Sequence, residues 1–197
     1  MLNNFSSDSY SMILQNKKKP GILLSALFCI FFCASIFAKD LPRGYKSINL
    51  GMSFDETKDA LLKDSDFGYH GDRDVSLVPD TSKVLIETDG EAGLGSPFLE
   101  HCYFQFFDET LFVITININT QKMDYYSVFT TLSEKYGKPT ELNPQSATWK
   151  NDTTTVSLEK PLTLKYIDNK LFDKTQNYSN IQKSPTEITR EMFLDEL

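Results

Sequence analysis

The sequence is poor in the residues that usually build catalytic and metal centres. It holds two histidines, three cysteines and one tryptophan in 197 residues. Cys29 and Cys33 lie inside an apolar run, residues 21–38, which leaves Cys102 as the single thiol of the remaining chain. Without that run no internal disulfide can form, so the fold must rest on its core even in an oxidising compartment. No serine sits in a Gly-x-Ser-x-Gly elbow. The Gly-rich stretch DGEAGLGSP, residues 89–97, lacks the lysine of a phosphate-binding loop and reads as a connection. An excess of positive charge is also lacking: 20 Lys and Arg stand against 27 Asp and Glu, a net charge of −7. Phosphate backbones repel such a chain, which argues against nucleic acid as a partner. No cofactor motif is present, and none is expected.

What the chain does have begins with residues 21–38, GILLSALFCIFFCASIFA, preceded by Lys17, Lys18 and Lys19. A basic flank, an uncharged apolar run and a small residue at Ala38 predict a secretory signal over residues 1–38. Met12 begins the compact leader MILQNKKKPG and is the expected true start. The alternatives are an uncleaved anchor, the run being at the lower limit for a membrane-spanning helix, and lipidation at Cys29 or Cys33. Both cysteines follow bulky residues, Phe28 and Phe32, which suits lipidation poorly. The expected location is therefore the periplasm. Membrane contact is expected only through a retained signal or a lipid.

Residues 39–172 are expected to form one domain. Ser53 and Glu56 make a capping box, which predicts a helix from Phe54 to about Lys63. Tyr125, Val128, Phe129, Leu132 and Tyr136 repeat at helical spacing behind the cap Asp124, and Gly137 and Pro139 end that helix. Strands are expected over Val75–Val78 and Val84–Glu87, paired with each other. A hairpin is expected between His101–Phe107 and Leu111–Asn119. A three-residue loop at Asp108-Glu109-Thr110 would set Phe106 opposite Phe112 and Phe104 opposite Ile114. Beyond the second helix, a turn at Asn151-Asp152 would set Trp149 opposite Thr154. A turn at Glu159-Lys160-Pro161 would set Leu158 opposite Leu162. The fold class is α+β: a two-layer sandwich, an antiparallel sheet with helices on one face, in the order α-βββ-α-βββ plus a C-terminal helix. The order suggests a duplicated unit.

Residues 173–197 read as a polar tether and a short helix opened by Ser184-Pro185-Thr186-Glu187. Its weak apolar stripe, Ile188, Met192 and Leu197, is the candidate partner-binding surface. Among chemistry-bearing residues, His70, Asp72 and Asp74 sit in one loop but lack the ligand set of a zinc centre. His101 and Cys102 are strand neighbours and should face opposite ways. Cys102 alternates with Phe104 and Phe106 and is expected in the core.

Gly51-Met52-Ser53-Phe54-Asp55-Glu56 resembles the helix-opening signature of the SmpA/OmlA family, small lipoproteins of outer-membrane barrel assembly. Gly137-Lys138-Pro139 and Trp149 are similar to that family's post-helix Gly-x-Pro and aromatic strand, but follow the second helix. Two such units in one chain look like a beta-lactamase-inhibitor-like fold. The resemblance covers residues 48–167 and implies a role in envelope or outer-membrane assembly. The expected function is a non-catalytic exported protein that binds another cell-envelope protein. The alternatives are a small-molecule or lipid carrier with a cavity lined by Phe104, Phe106, Phe129 and Tyr136, and a metal-dependent hydrolase using His70, Asp72 and Asp74.

Overall fold

The computed structural model describes residues 40–77, 83–90, 95–181 and 193–194. The chain divides into two compact units, Met1–Phe37 and Ala38–Leu197, the first of which lies outside the described residues.

The second unit opens with a small hairpin, β1 (Gly44–Tyr45) and β2 (Ile48–Asn49). Helix α1 (Phe54–Lys63) follows, with the capping box in place: the Ser53 amide donates to Glu56 at 2.9 Å and the Glu56 amide to Ser53 Oγ at 3.2 Å. The segment before it is tied to the sheet, because the Gly51 amide donates to Leu111 at 2.8 Å and the Leu111 amide to Met52 at 2.9 Å. Strands β3 (Val75–Leu77), β4 (Lys83–Asp89), β5 (Leu99–Phe107) and β6 (Thr110–Ile118) come next. Helix α2 (Tyr125–Tyr136) starts at Asp124, which accepts from the Ser127 amide at 2.9 Å. After it run β7 (Glu141–Leu142), β8 (Ser146–Lys150), β9 (Thr154–Glu159) and β10 (Thr163–Asp168), and then helix α3 (Asn169–Ile181).

Strands β3 to β10 form one antiparallel sheet in the order β3-β4-β5-β6-β10-β9-β8-β7. Each helix α1 and α2 is followed by a four-strand meander, and the last strands of the two meanders, β6 and β10, pair at the centre. The expected order counted three strands per half, although the four segments named between the helices are all strands, β3 to β6. Its second half lacked β7, whose two residues are too few to show an alternation.

The main core lies on one sheet face, under α1 and α2. Ile86, Phe104, Ile114, Trp149, Val156 and Leu158 are buried there together with Leu61 and Leu132. A second, smaller cluster of Phe107, Phe112 and Val113 lies apart, with Ile167 of β10 and Leu171 of α3 packed against it. Helix α3 thus sits on the face that α1 and α2 leave open. Residues 173–181, expected as a tether, are helical, and Thr175 is buried in that segment. The cause lies in Asp168, whose Oδ1 accepts from the Leu171 amide at 2.9 Å and starts a helix directly off β10.

Three expected registers differ from those observed. Thr110 pairs with Phe107, so the β5–β6 loop has only two residues, Asp108 and Glu109, both at positive φ (47° and 60°) as a tight hairpin turn requires. Phe106 therefore faces Leu111. A register shift follows at Phe112, after which Phe104 faces Ile114 as expected. The irregularity sends Phe112 to the smaller cluster, because a bulge breaks the strict alternation of faces. Trp149 pairs with Val156 rather than Thr154. Asn151 Oδ1 takes the Thr153 and Thr154 amides at 3.0 and 2.7 Å and moves the turn one residue along. Leu158 pairs with Leu164 rather than Leu162. The Leu162 carbonyl is used by the Ile118 amide at 3.0 Å. Both later shifts are of two residues, so every side chain keeps its face.

Two caps make stability depend on pH. Hydrogen bonds from the Ser53 amide and then its hydroxyl hold the Glu56 carboxyl below its ordinary pKa. The Ser127 hydroxyl and amide do the same for Asp124. A carboxyl with a lowered folded-state pKa adds stability above its unfolded value, and this is lost as pH falls through the folded value. Unfolding free energy should decline from about pH 4 downward. The double variant E56Q/D124N keeps capping atoms without titrating and should flatten that slope; an unchanged slope from urea melts would rule this cause out.

Candidate functional site

The end of α2 builds an unusual sheet edge. The Gly137 amide closes the helix on the Ser133 carbonyl at 2.9 Å, with φ at +86°. The Gly137 carbonyl accepts from Trp149 Nε1 at 2.8 Å, which fixes the helix end over β8. Pro139 prevents the helix from continuing. The Thr140 amide and hydroxyl both donate to the Thr148 carbonyl, at 2.8 and 2.9 Å, and lead the chain into β7. Asn143 Oδ1 then accepts from the Gln145 and Ser146 amides at 2.8 Å and turns it back into β8.

Among the described residues, strand β7 is therefore the last in the sheet, paired only with β8. Leu142 faces Ala147, a buried core residue, so its side chain lies on the helix side. It remains 64% exposed, because the sheet extends here past the cover of α2. Beside it is a groove of about 400 Å³ lined by Tyr125, Phe129, Leu142, Asn143, Pro144 and Lys160. Tyr125 and Phe129 are stacked with centroids 6.4 Å apart and planes 9° from parallel. Phe129 rests on Trp149 at 6.2 Å. The Tyr125 hydroxyl donates to the Leu158 carbonyl at 3.2 Å, and the Lys160 ammonium lies 5.7 Å from the Tyr125 ring centre. Burial raises the Tyr125 pKa, so the phenol stays protonated. The arrangement offers a rigid aromatic floor, one exposed aliphatic residue and an open strand edge. It can bind an extended chain by main-chain hydrogen bonds and apolar contact.

The residues singled out in the sequence fall elsewhere. Ile188, Met192 and Leu197 lie outside the described residues. Asp72 pairs with Lys58 at 2.5 Å, while Asp74 accepts from the His70 amide at 2.7 Å and lies 3.4 Å from its Nδ1. No cluster of three His, Cys, Asp or Glu side chains suited to a metal occurs among the described residues. His101 stacks on Tyr103 at 6.3 Å on one face of β5, and Cys102 is buried in the main core on the other. Phe104 and Phe106 are completely buried, and Phe129 and Tyr136 both pack on Trp149, so these four fill the core between sheet and helices. Of the Gly-rich loop, Gly90 and Gly95 are described and approach each other closely: a Cβ on Gly95 would meet the Gly90 carbonyl at 2.5 Å.

Burial pushes the Cys102 thiol up to about 12. At pH 8 its alkylation in the native protein is expected to be slower than in urea by roughly a thousandfold. Peptide mapping separates it from Cys29 and Cys33. Rapid native labelling would mean that β4 and β5 part easily.

The edge groove was missed in the sequence because Leu142 is one apolar residue within a polar stretch. Tyr125 and Phe129 also read as ordinary members of a buried helix stripe. Their only signal was the pair Pro139 and Pro144 flanking Leu142, which marks a short exposed segment.

The fold defines the class: an α+β protein whose eight-stranded antiparallel sheet carries helices α1, α2 and α3. The model of the TP0088 domain family matches residues 43–178, and the chain belongs to that family. The match spans β1 through most of α3. No curated protein and no solved structure matches the chain. Among the described residues no helix is long and apolar enough to cross a membrane.

Proposed function

We propose that the protein is an exported, non-catalytic binding protein of the cell envelope, working in the periplasm on another envelope protein. The observation that carries this reading is the exposed Leu142 on the end strand β7 beside the Tyr125–Phe129 groove. A partner segment would extend the sheet along β7 and place an apolar side chain against the aromatic floor. Burying one large aliphatic or aromatic side chain there is worth about 1.5–3 kcal/mol. The reading treats α1, α2 and the sheet as a two-layer sandwich of two α–β units, related to the SmpA/OmlA lipoproteins, to which α3 adds cover on the other face, and it places the partner in envelope or outer-membrane assembly. The signal-like residues 1–38 supply the export.

A photo-crosslinking residue at position 142 tests it in intact cells. A specific adduct is expected there and not at position 62 of α1, which is 63% exposed on the helix that packs on β6, four strands from β7. Leu142→Asp should reduce recovery of the same partner by about tenfold, equivalent to about 1.4 kcal/mol. Equal adducts at both positions, or unchanged recovery with L142D, would overturn the proposal. Removal of residues 182–197 tests the tail stripe separately. A cut at 173 would instead take away part of α3, including the buried Thr175.

A further inference from the structure

Among the described residues, α3 covers the face of the sheet opposite α1 and α2 at one end, over Phe107, Phe112 and Val113. Beside that cover is a second concavity of about 490 Å³, within the size range of small-molecule sites. Its strands place the lining in register. Tyr103 of β5 pairs with Thr115 of β6, and Thr115 with Lys165 of β10, so the three side chains stand in one row on one face. With strands about 4.8 Å apart, the row spans about 10 Å. Leu85 and Gln105, paired with each other, make the adjacent row. Phe112, displaced by its bulge, adds an aromatic surface.

The lining is chemically one-sided. Its only charged side chains among the described residues are Lys83 and Lys165, in a chain with net charge −7. Tyr103, Gln105 and Thr115 each offer a hydrogen-bond donor. Lys165 is held in position by Glu159 at 2.6 Å, and the Ser157 hydroxyl donates to the same carboxylate at 3.1 Å. Lys83 is likewise engaged within the protein. An incoming anion would therefore share the preplaced Lys165 ammonium with Glu159 and would not need to order it. Burial, then the charge of Glu87 and a hydrogen bond with it, raises the Tyr103 pKa, so the hydroxyl stays protonated and a ligand would share or replace its contact with Glu87.

We propose that this concavity binds a free aliphatic carboxylate: the carboxylate on Lys165, Thr115 and Tyr103, the chain on Leu85 and Phe112. The site lies on the opposite face from Leu142 and stands independently of the partner proposed above.

Photoaffinity labelling of the full chain with a diazirine-bearing dodecanoate tests it. Mass spectrometry is expected to place the adducts within residues 83–85, 103–105 and 112–115. Dodecanoate should compete, while dodecan-1-ol and acetate at the same concentration should not. K83E/K165E should cut labelling by about tenfold, and K83R/K165R should keep it within about twofold. Labels confined to residues 21–38, equal competition by the alcohol, or capture only from anionic phospholipid vesicles would each overturn the proposal. The competition arms use the unaltered protein, so they decide the matter even if the charge-reversed variant fails to fold.

Discussion

Replacing Trp149 by alanine is expected to destabilise the domain by about 3–5 kcal/mol, the usual cost of emptying a large aromatic site in a core. Trp149 is 2% exposed and holds together three elements. Its indole contacts Phe129 at 6.2 Å and Tyr136 at 6.1 Å on α2, and its N–H donates to Gly137 at the end of that helix. Its strand neighbour Val156 is fully buried. Loss of the ring therefore opens a void between sheet and helix and frees the helix end. Trp149→Phe should cost less, because it keeps most of the volume and gives up one hydrogen bond worth about 1 kcal/mol. Trp149 is the single tryptophan, so unfolding should be followed by circular dichroism in urea. A cost below about 1 kcal/mol for the alanine variant would contradict this packing.

The second large effect is expected at Arg43. Its guanidinium donates to Asp168 at 2.5 Å and to the Thr154 hydroxyl at 3.3 Å. These contacts join the start of the domain to the strand that launches α3. The Asp168 carboxylate is 11% exposed, whereas the arginine side chain is 39% exposed. The pair is therefore asymmetric. Arg43→Ala strands a largely buried charge and should cost about 2–3 kcal/mol, less than a fully buried pair because water reaches the site. Asp168→Asn should cost less, since asparagine still caps α3 and the freed guanidinium can turn to solvent. Adding D168N to R43A should recover part of the loss by removing the stranded charge. A double variant as unstable as the sum of the singles would show that the two residues are not coupled.

The helices α1 and α2 were legible almost to the residue, because their signals are local. Ser53 with Glu56, and Asp124 with Gly137, satisfy or close backbone groups within a few positions of themselves. The strand faces were legible for the same reason: Cys102, Phe104 and Phe106 alternate whatever their partner strand is. The pairing partners were not. Trp149–Val156 and Leu158–Leu164 depend on which atoms of Asn151 and Leu162 are already engaged, and Phe106–Leu111 depends on a two-residue turn at positive φ that neither Asp108 nor Glu109 announces. Helix α3 was hidden because residues 173–181 are mostly polar. They are helical through a start fixed by Asp168 and an apolar contact through Leu171.

The sequence by itself determined the acidic, thiol-poor character of the domain, its α+β class, its two capped helices and the faces of its strands. These follow from composition, chain periodicity and contacts within one turn. Only the tertiary structure decided the eight-strand order with β6 and β10 at its centre, the side on which α3 lies, and the exposure of Leu142 beside Tyr125 and Phe129. Each of these is set by which distant segment occupies a given face, and no local pattern carries that information.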